Sequence, residues 1–344
     1  MTALLDDPYT QIEKQSLKEY VPLRAMLELT YRCNFRCVMC YLVEFRSPGE
    51  LSTEEYQRVM DQLAEMGCLF LTLTGGEVLV RKDFFELARY AREKRFALRI
   101  FTNGLLIDDK AADQLRDIQP LSTEVSLYGM SDETYAAVTG RPGRYARVIQ
   151  AIRRLRERDL SVIIKTPVIQ QNYHDLDAMH AFAKEIGASF KANPNITPKD
   201  NGDFAPLAHA LNDEQLEEYY RRYTTALPEL FLKPEGLMCN TARSAMIISP
   251  MGDVFPCIQI KRSVGNVRER PLAEIWKGSP LLDKLRGLRV RDHAGCSGCG
   301  NGKTAQCAGI SYMATGSYTG GDPLTQRITK IKEKAYQKQQ RNCP

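Results

Sequence analysis

Short apolar runs alternate along the chain with longer segments that carry apolar residues at helical spacing. Six runs are partly β-branched: AMLEL near Met26, LFLTL near Leu69, ALRIF near Leu98, TEVSL near Val125, SVIIK near Ile163 and ASFKA near Phe190. A helical pattern follows each run, and the clearest is LSTEEYQRVMDQLAEM, in which Ser52 and Glu55 form a capping box. Strands that alternate with helices in this way predict a parallel α/β architecture of six βα units.

Polar, glycine-rich segments follow three of the predicted strands. These are TGGE at 74–77, TNG at 102–104 and SLYG at 126–129. Ligands of parallel α/β folds bind at the C-terminal ends of the strands, so we expect a site here. Six units are fewer than the eight of a complete barrel, and periodicity alone leaves open whether the sheet closes.

The composition of the sequence changes at PELFLKPEG, residues 228–236. After this segment the chain is rich in cysteines and in residues typical of turns. We therefore predict an N-terminal segment at 1–20, a first domain at 21–227, a cysteine-rich extension at 228–326 and a basic tail at 327–344. A segment with so little core of its own would be helped by a bound metal. The tail is expected to form an amphipathic helix, with an acidic partner surface as the alternative.

Composition narrows the function classes further. The net charge is only +5 from 47 basic and 42 acidic residues, which are interspersed, so no nucleic-acid partner is expected. No apolar run approaches the roughly 20 residues that span a membrane, and the N-terminus lacks a signal-peptide pattern, so we predict a cytoplasmic protein. In a reducing compartment, ten clustered cysteines indicate metal ligation more than disulfides.

Three of these cysteines, Cys33, Cys37 and Cys40, follow the first predicted strand in the spacing C-x3-C-x2-C. A four-iron cluster is ordinarily held by four thiolates, so three without a local fourth predict one open iron. The alternatives are a zinc knuckle and a redox thiol group. Zinc would need a fourth cysteine or histidine nearby, and the four histidines are all distant in sequence.

This loop, its strand context and the segment LTGGE together resemble the radical S-adenosylmethionine (radical SAM) superfamily over residues 21–227. The resemblance implies a partial (β/α)6 barrel of parallel strands. It also implies that Cys33, Cys37 and Cys40 bind a [4Fe-4S] cluster whose fourth iron is chelated by SAM. Reductive cleavage of SAM would then give a 5'-deoxyadenosyl radical that abstracts a hydrogen atom from the substrate.

The resemblance assigns SAM contacts to seven residues: Tyr41, Gly75, Gly76, Glu77, Asn103, Ser126 and Lys165. Of these, Gly75, Gly76 and Glu77 would receive the methionine amino group, because a carboxylate accepts hydrogen bonds from an ammonium. Lys165 would pair with the SAM carboxylate or else be solvated. One departure is Met39, where the family usually has an aromatic residue; Tyr41 follows it, and the adenine contact there is largely made by backbone.

The second cysteine group consists of Cys239, Cys257, Cys296, Cys299 and Cys307. It resembles the SPASM extension, which binds auxiliary [4Fe-4S] clusters, but Ser311 and Thr325 stand where that pattern has cysteines. The shorter twitch arrangement would hold one cluster through Cys239, Cys257, Cys296 and Cys299, with Cys307 spare or replacing one of them. Two partly open clusters and a zinc ribbon are the alternatives.

The resemblance implies a radical SAM enzyme that modifies a ribosomally synthesised peptide by crosslinking, oxidation or epimerisation. Cys307 is the candidate catalytic residue if a hydrogen-donating thiol is needed. Because only about 20 residues precede the first strand, we expect a separate leader-binding protein, and flavodoxin or ferredoxin as electron donor. The alternatives are a radical SAM dehydrogenase or decarboxylase of a small molecule such as a tetrapyrrole precursor, and a non-catalytic iron-sulfur or zinc module.

Overall fold

The computed structural model describes residues 7–46, 48–224, 235–294 and 307–341. Within these residues the strands are β1 (Arg24–Glu28), β2 (Phe70–Thr74), β3 (Ala97–Thr102), β4 (Ser122–Ser126), β5 (Val162–Pro167), β6 (Ser189–Asn193), β7 (Ala245–Ile248) and β8 (Val254–Phe255). The α-helices are α1 (Pro8–Glu19), α2 (Thr53–Glu65), α3 (Phe84–Glu93), α4 (Asp109–Ile118), α5 (Asp132–Thr139), α6 (Tyr145–Glu157), α7 (Leu176–Glu185), α8 (Asp213–Tyr223), α9 (Leu272–Gly278), α10 (Pro280–Gly287), α11 (Ala308–Thr315) and α12 (Pro323–Arg341).

The strands form one sheet in the order β6-β5-β4-β3-β2-β1-β7-β8. Strands β1 to β6 are parallel and follow one another in chain order, which confirms the six predicted βα units and the parallel α/β fold. Strand β7 pairs in parallel with β1, so the sheet gains a seventh parallel strand that the hydrophobic pattern did not predict. The segment ISPMGDVFPC forms a hairpin, because β8 returns antiparallel to β7.

Helix α2 shows how local sequence sets an element. The side chain of Ser52 accepts a hydrogen bond of 3.2 Å from the backbone N–H of Glu55, whose carboxylate accepts one of 2.7 Å from the N–H of Ser52. This predicted capping box begins the helix, and the buried residues Tyr56, Val59, Met60 and Leu63 form its apolar stripe. The stripe belongs to the main core, which also includes Cys68.

The basic tail forms most of α12, an amphipathic helix as predicted, although it begins at Pro323. Its apolar residues Ile331 and Ala335 are buried against the α8 residues Leu216 and Tyr220. On the polar side, Lys334 and Lys338 both pair with Glu217 of α8, so an acidic partner for two of these lysines comes from the chain itself. In the described part of the chain, no helix is long and apolar enough to cross a membrane.

Candidate active site

A cavity of about 340 Å³ lies at the C-terminal ends of the parallel strands. All three cysteines of the C-x3-C-x2-C loop line it. So do the sequence-predicted residues Tyr41, Gly75, Gly76, Asn103, Ser126 and Lys165. The fold therefore gathers at one cavity residues that are spread over more than 130 positions of the sequence. Of the predicted SAM contacts, Glu77 does not line the cavity.

The two glycines of the TGGE segment pack directly against the loop that carries the cysteines. Gly75 has a φ of +134°, and a Cβ added there would lie 2.3 Å from the carbonyl oxygen of Thr30. A Cβ on Gly76 would lie 2.4 Å from the carbonyl oxygen of Arg32. Any larger residue would push the cysteine loop away from the end of β2. Their contact with the methionine amino group stays a prediction.

Glu77 is buried beside the cavity and holds the ends of two strands together. Its carboxylate accepts hydrogen bonds of 2.7 Å from the Thr102 hydroxyl and of 2.7 Å from the backbone N–H of Asn103. The N–H of Leu79 donates a third, of 3.1 Å. Burial raises the pKa of Glu77, and these donors oppose that rise. The carboxylate that we predicted to bind SAM is thus occupied by donors from β3 and from its own turn.

Asn103 connects the end of β3 to the first cysteine. Its side-chain nitrogen donates to the Asn34 side-chain oxygen at 2.6 Å and lies 3.8 Å from the Cys33 sulfur. The backbone N–H of Phe35 also lies 3.4 Å from that sulfur. Donors of this kind stabilise a thiolate, which is the form that binds metal.

The three thiols fit a cationic metal group. Burial raises the pKa of Cys40 to about 11 and also raises the pKa of Cys33 and Cys37. A bound cation reverses this balance, because it favours deprotonated thiolates. The thiolates of a four-iron cluster bind different irons. Among the described residues, no three Cys, His, Asp or Glu side chains are arranged to hold a single metal ion.

Tyr128 is a cavity residue that the sequence analysis missed. Burial raises the pKa of Tyr128, as does charge on Cys37, while a hydrogen bond with the Ser126 side chain lowers it. Burial raises the pKa of Cys37, and the Tyr128 side chain opposes that rise. The tyrosine therefore connects the end of β4 to the second cysteine, and its place two residues after Ser126 in SLYG was the available signal.

Lys165 reaches the cavity from β5 and already has a carboxylate partner. Its ammonium pairs with the buried Glu124 of β4 and lies 3.5 Å from the centre of the Phe101 ring. Burial lowers the pKa of Lys165, and the Glu124 carboxylate opposes that change. The predicted pairing with the SAM carboxylate stays a prediction, and SAM would share the ammonium with Glu124.

A second cavity, of about 890 Å³, adjoins the first and shares Lys165 and Pro167 with it. It lies along β6, the last strand of the sheet, and its far wall comes from α7 and α8, with His180, Tyr219, Arg222 and Tyr223. We call this second cavity the β6 groove. The β6 groove and the cysteine cavity meet at Lys165 and Pro167.

Tyr41, next to Cys40, belongs to a buried polar cluster below the cysteine loop. The Glu28 carboxylate at the end of β1 accepts hydrogen bonds from the hydroxyls of Tyr41 (3.3 Å) and Tyr31 (3.1 Å). The Lys261 ammonium lies 2.7 Å from the same carboxylate and 3.7 Å from that of Asp200. The cluster joins the loop of the first three cysteines to the segment that follows Cys257. The adenine contact proposed for Tyr41 stays a prediction.

In the C-terminal part, Cys239, Cys257 and Cys307 lie within electrostatic reach of one another. Burial raises the pKa of Cys307 to about 11, and charge on Cys257 and Cys239 raises it further. Charge on Cys239 likewise raises the pKa of Cys257, after burial. Cys296 and Cys299 lie outside the described residues. Two of the four cysteines assigned to the auxiliary cluster thus influence Cys307 through their charge.

Comparison with known proteins agrees with this site. The family model of the radical SAM superfamily matches residues 27–183, and that of the SPASM iron-sulfur cluster-binding domain matches 239–300. The AdoMet-dependent heme synthase of Methanosarcina barkeri is 30% identical over 328 residues, which cover 86% of this chain and 94% of that protein. The chain belongs to the radical SAM superfamily. It is a radical SAM enzyme that uses SAM and [4Fe-4S] clusters, including an auxiliary cluster.

Two further proteins are similar to this chain. The PqqA peptide cyclase of Granulibacter bethesdensis is 31% identical over 286 residues, which cover 77% of this chain and 76% of that protein. The crystal structure of Streptococcus suis SuiB bound to precursor peptide SuiA superposes with a TM-score of 0.70 at 20% identity. That match covers 94% of this chain and 82% of SuiB, and it confirms the fold.

Proposed function

We propose that this radical SAM enzyme modifies a ribosomally synthesised peptide. The observation that carries the proposal is that the cysteine cavity adjoins the larger β6 groove, with Lys165 and Pro167 in the walls of both. Two adjoining cavities, one of them along the strand β6, suit an extended chain better than a compact ring. The similarity to a PqqA peptide cyclase supports the same substrate class.

The residues predicted from the sequence have defined tasks in this proposal. When bound, the [4Fe-4S] cluster and SAM supply the radical that abstracts a hydrogen atom. Cys33, Cys37 and Cys40 would hold the cluster, while Gly75, Gly76 and Ser126 would line the SAM pocket. Glu77 would keep the Asn103 backbone in place, and Asn103 in turn would support Cys33 through its side chain. Lys165 would stand at the passage to the substrate groove.

We further propose that Cys307 is a ligand of the auxiliary cluster together with Cys239 and Cys257. Its support is the electrostatic proximity of the three thiols, which a free hydrogen-donating thiol would not require. One of Cys296 and Cys299 would complete the four-thiolate ligand set. We retain the division of the chain at residue 228 as part of this proposal, with the auxiliary cluster in the C-terminal part.

A one-electron donor, flavodoxin or ferredoxin, would dock at the exposed face of the cysteine loop. There the Arg36 guanidinium lies 4.1 Å from the centre of the Phe45 ring, and the N–H of Arg36 donates to the carbonyl of Thr139. This bond brings the exposed Arg141 to the same face. A basic face of this kind attracts an acidic donor. A separate leader-binding protein and a cytoplasmic location complete the proposal.

A tetrapyrrole is the second candidate substrate, because the similar protein from Methanosarcina barkeri is named a heme synthase. Carboxylates of such a ring would find cations at Lys165, Lys191 and Arg222 in the β6 groove. Two of these already have carboxylate partners, since Lys165 pairs with Glu124 and Arg222 pairs with Asp177. This prior pairing favours the peptide.

The test is incubation of the reduced, anaerobically reconstituted protein and SAM with two sets of substrates. One set contains the short peptides encoded beside the gene, and the other contains carboxylated tetrapyrroles. We expect 5'-deoxyadenosine together with a mass shift in a peptide, both absent from a variant with Cys33, Cys37 and Cys40 replaced by alanine. A mass shift in a tetrapyrrole and in no peptide would overturn the proposal.

Iron content tests the cluster assignment independently of the substrate. With one auxiliary cluster, the wild type should hold about eight irons per chain and the triple alanine variant about four. About twelve irons in the wild type would refute a single auxiliary cluster.

A further inference from the structure

The free edge of β6 has the geometry of a strand-docking site. β6 stands at one end of the sheet, and in the described part of the chain no other strand pairs with its outer side. The N–H of Val168, just after β5, donates to the carbonyl of Asn193 at 2.9 Å. In a parallel sheet, the N–H and C=O of one residue both point to the same neighbouring strand, and those of the next residue point to the opposite side. Ser189, Lys191 and Asn193 therefore face β5, whereas Phe190 and Ala192 point their N–H and C=O groups outward.

One contact supports this assignment directly. The hydroxyl of Tyr219, in α8, donates to the carbonyl of Ala192 at 2.9 Å, so that carbonyl does point away from β5. A polar group from α8 thus already uses one of the four outward backbone groups. The other three are the N–H of Ala192 and both backbone groups of Phe190.

The β6 groove wraps around this edge and does not lie on one face of the sheet. Lys191 and Asn193 are in register with Lys165 and Pro167, so they share the face that looks toward the cysteine cavity. Phe190 and Ala192 occupy the other face and pack against buried apolar residues that include Leu216 of α8. Side chains of both faces line the groove, so the backbone edge between them lies inside it.

We propose that the substrate peptide binds in the β6 groove as an added strand, paired with the outward backbone groups of Phe190 and Ala192. The proposal rests on the peptide function proposed above and specifies how the peptide is held. Pairing through main-chain groups accepts many sequences, while side chains in alternate positions give selectivity. Every second residue of the peptide would face the same side as Lys165, toward the cysteine cavity.

The edge also carries features that limit non-specific pairing. β6 has only five residues, and Lys191 in its middle is exposed. Short strands and lysines are common means by which proteins keep edges from pairing with unrelated chains. A peptide would therefore have to gain additional contacts from the groove, with the aromatic rings of Phe190, Tyr219 and Tyr223 as the available surfaces.

The first test uses Ala192→Pro in the reconstituted holoenzyme with SAM, and Ala192→Ser as its matched control. Proline removes the outward N–H at this position without touching the ladder to β5, and edge strands tolerate it. The probe is a display library of random peptides about ten residues long, the upper length of ordinary strands. Peptides enriched on the wild type should bind Ala192→Pro about tenfold more weakly, the effect of one lost hydrogen bond, and Ala192→Ser normally. No enrichment, or equal binding to both variants, would overturn the proposal.

The second test needs no variant and decides the question if Ala192→Pro does not fold. Hydrogen exchange of the wild-type holoenzyme is measured with and without an enriched peptide. The amides of Phe190 and Ala192 should exchange more slowly with peptide bound, while that of Lys191, which faces β5, should change little. Unchanged exchange at Phe190 and Ala192 would refute the strand.

Both tests measure peptide binding, whereas the proposed function is tested by a mass shift in the product. The two proposals can therefore fail independently. If peptides bind at the β6 edge but none shows a mass shift, the docking site is supported and the proposed peptide modification is refuted. If a peptide shows a mass shift but binds Ala192→Pro as tightly as the wild type, the peptide modification is supported and the docking site is refuted.

Discussion

The ammonium of Lys261 lies 2.7 Å from the carboxylate of Glu28, and this ion pair joins two parts of the chain that are 233 residues apart. Glu28 is fully buried at the end of β1, and only 9% of the Lys261 side chain is exposed. The pair thus connects the parallel sheet beneath the first cysteine loop to the segment that follows Cys257. Its integrity should govern how the C-terminal part is held against the site.

Lys261→Met should destabilise the fold strongly, because it leaves a buried carboxylate without its cation. We expect a loss of about 3–5 kcal/mol in the free energy of unfolding, measured by urea denaturation under anaerobic conditions. The control is Arg116→Met, since Arg116 is 54% exposed and pairs with Asp113 and Asp117 at the surface. That change should cost less than about 1 kcal/mol. Equal losses in both variants would contradict the prediction.

Asp200 should make stability depend on pH near neutrality. Burial raises its pKa to about 7, against the opposing charge of Lys261 and with a further rise from Glu28. A folded-state pKa above the unfolded value of about 3.9 means that the folded state holds the proton more tightly. The resulting stabilisation is complete below the unfolded pKa and is lost as the pH rises through about 7.

The measurement for Asp200 is the free energy of unfolding at about pH 5 and about pH 8 in the wild type and in Asp200→Asn. The wild type should lose stability between these values, whereas Asp200→Asn, which cannot ionise, should show a smaller loss. If the free energy of unfolding of Asp200→Asn depends on pH as much as that of the wild type, a group other than Asp200 is responsible.

The helices and strands that depend mainly on interactions between neighbouring residues could be predicted from the sequence. The capping box of Ser52 and Glu55 and the alternation of strands and helices depend on neighbours in the chain, so all six βα units could be predicted. The three-cysteine loop could be recognised because its cysteines lie within eight residues. Each of these features carries its information in a short segment.

Contacts between distant segments could not be predicted in the same way. Nothing near Glu28 indicates that Lys261 will neutralise it, and nothing in AMII indicates that β7 will pair with β1. Nothing in TGGE indicates that its two glycines will pack against the backbone of Thr30 and Arg32. These features depend on how the sheet orders its strands, which periodicity does not specify.

Glu77→Gln should separate two possible tasks of that residue. A carboxamide has one accepting oxygen, so either the Asn103 N–H or the donors from Thr102 and Leu79 would face an NH₂ group. If Glu77 positions the strand ends, SAM affinity and stability should fall together, with stability down by about 1–3 kcal/mol. The measurements are equilibrium binding of SAM and urea unfolding. Weaker SAM binding at unchanged stability would instead indicate direct contact with SAM.

Arg141→Glu should slow electron delivery without affecting the chemistry. Reversing a charge on the exposed face beside Arg36 weakens the attraction of an acidic donor, and the effect should diminish as salt is added. We expect the rate of 5'-deoxyadenosine formation with flavodoxin to fall about tenfold at low ionic strength. With dithionite, a small chemical reductant, the rate should stay that of the wild type. A matched control is Arg116→Glu on α4, and equal slowing there would contradict a specific docking face.

Cys307→Ser should reveal whether this thiol binds metal or donates hydrogen. If Cys307 is a cluster ligand beside Cys239 and Cys257, the variant should lose auxiliary iron, from about eight toward about four per chain. Cys68→Ala is the control, because Cys68 is buried in the core, only 5% exposed, and should keep all the iron. Full iron in Cys307→Ser with an altered product would contradict ligation and favour a hydrogen donor. Full iron with an unchanged product would exclude both tasks for Cys307.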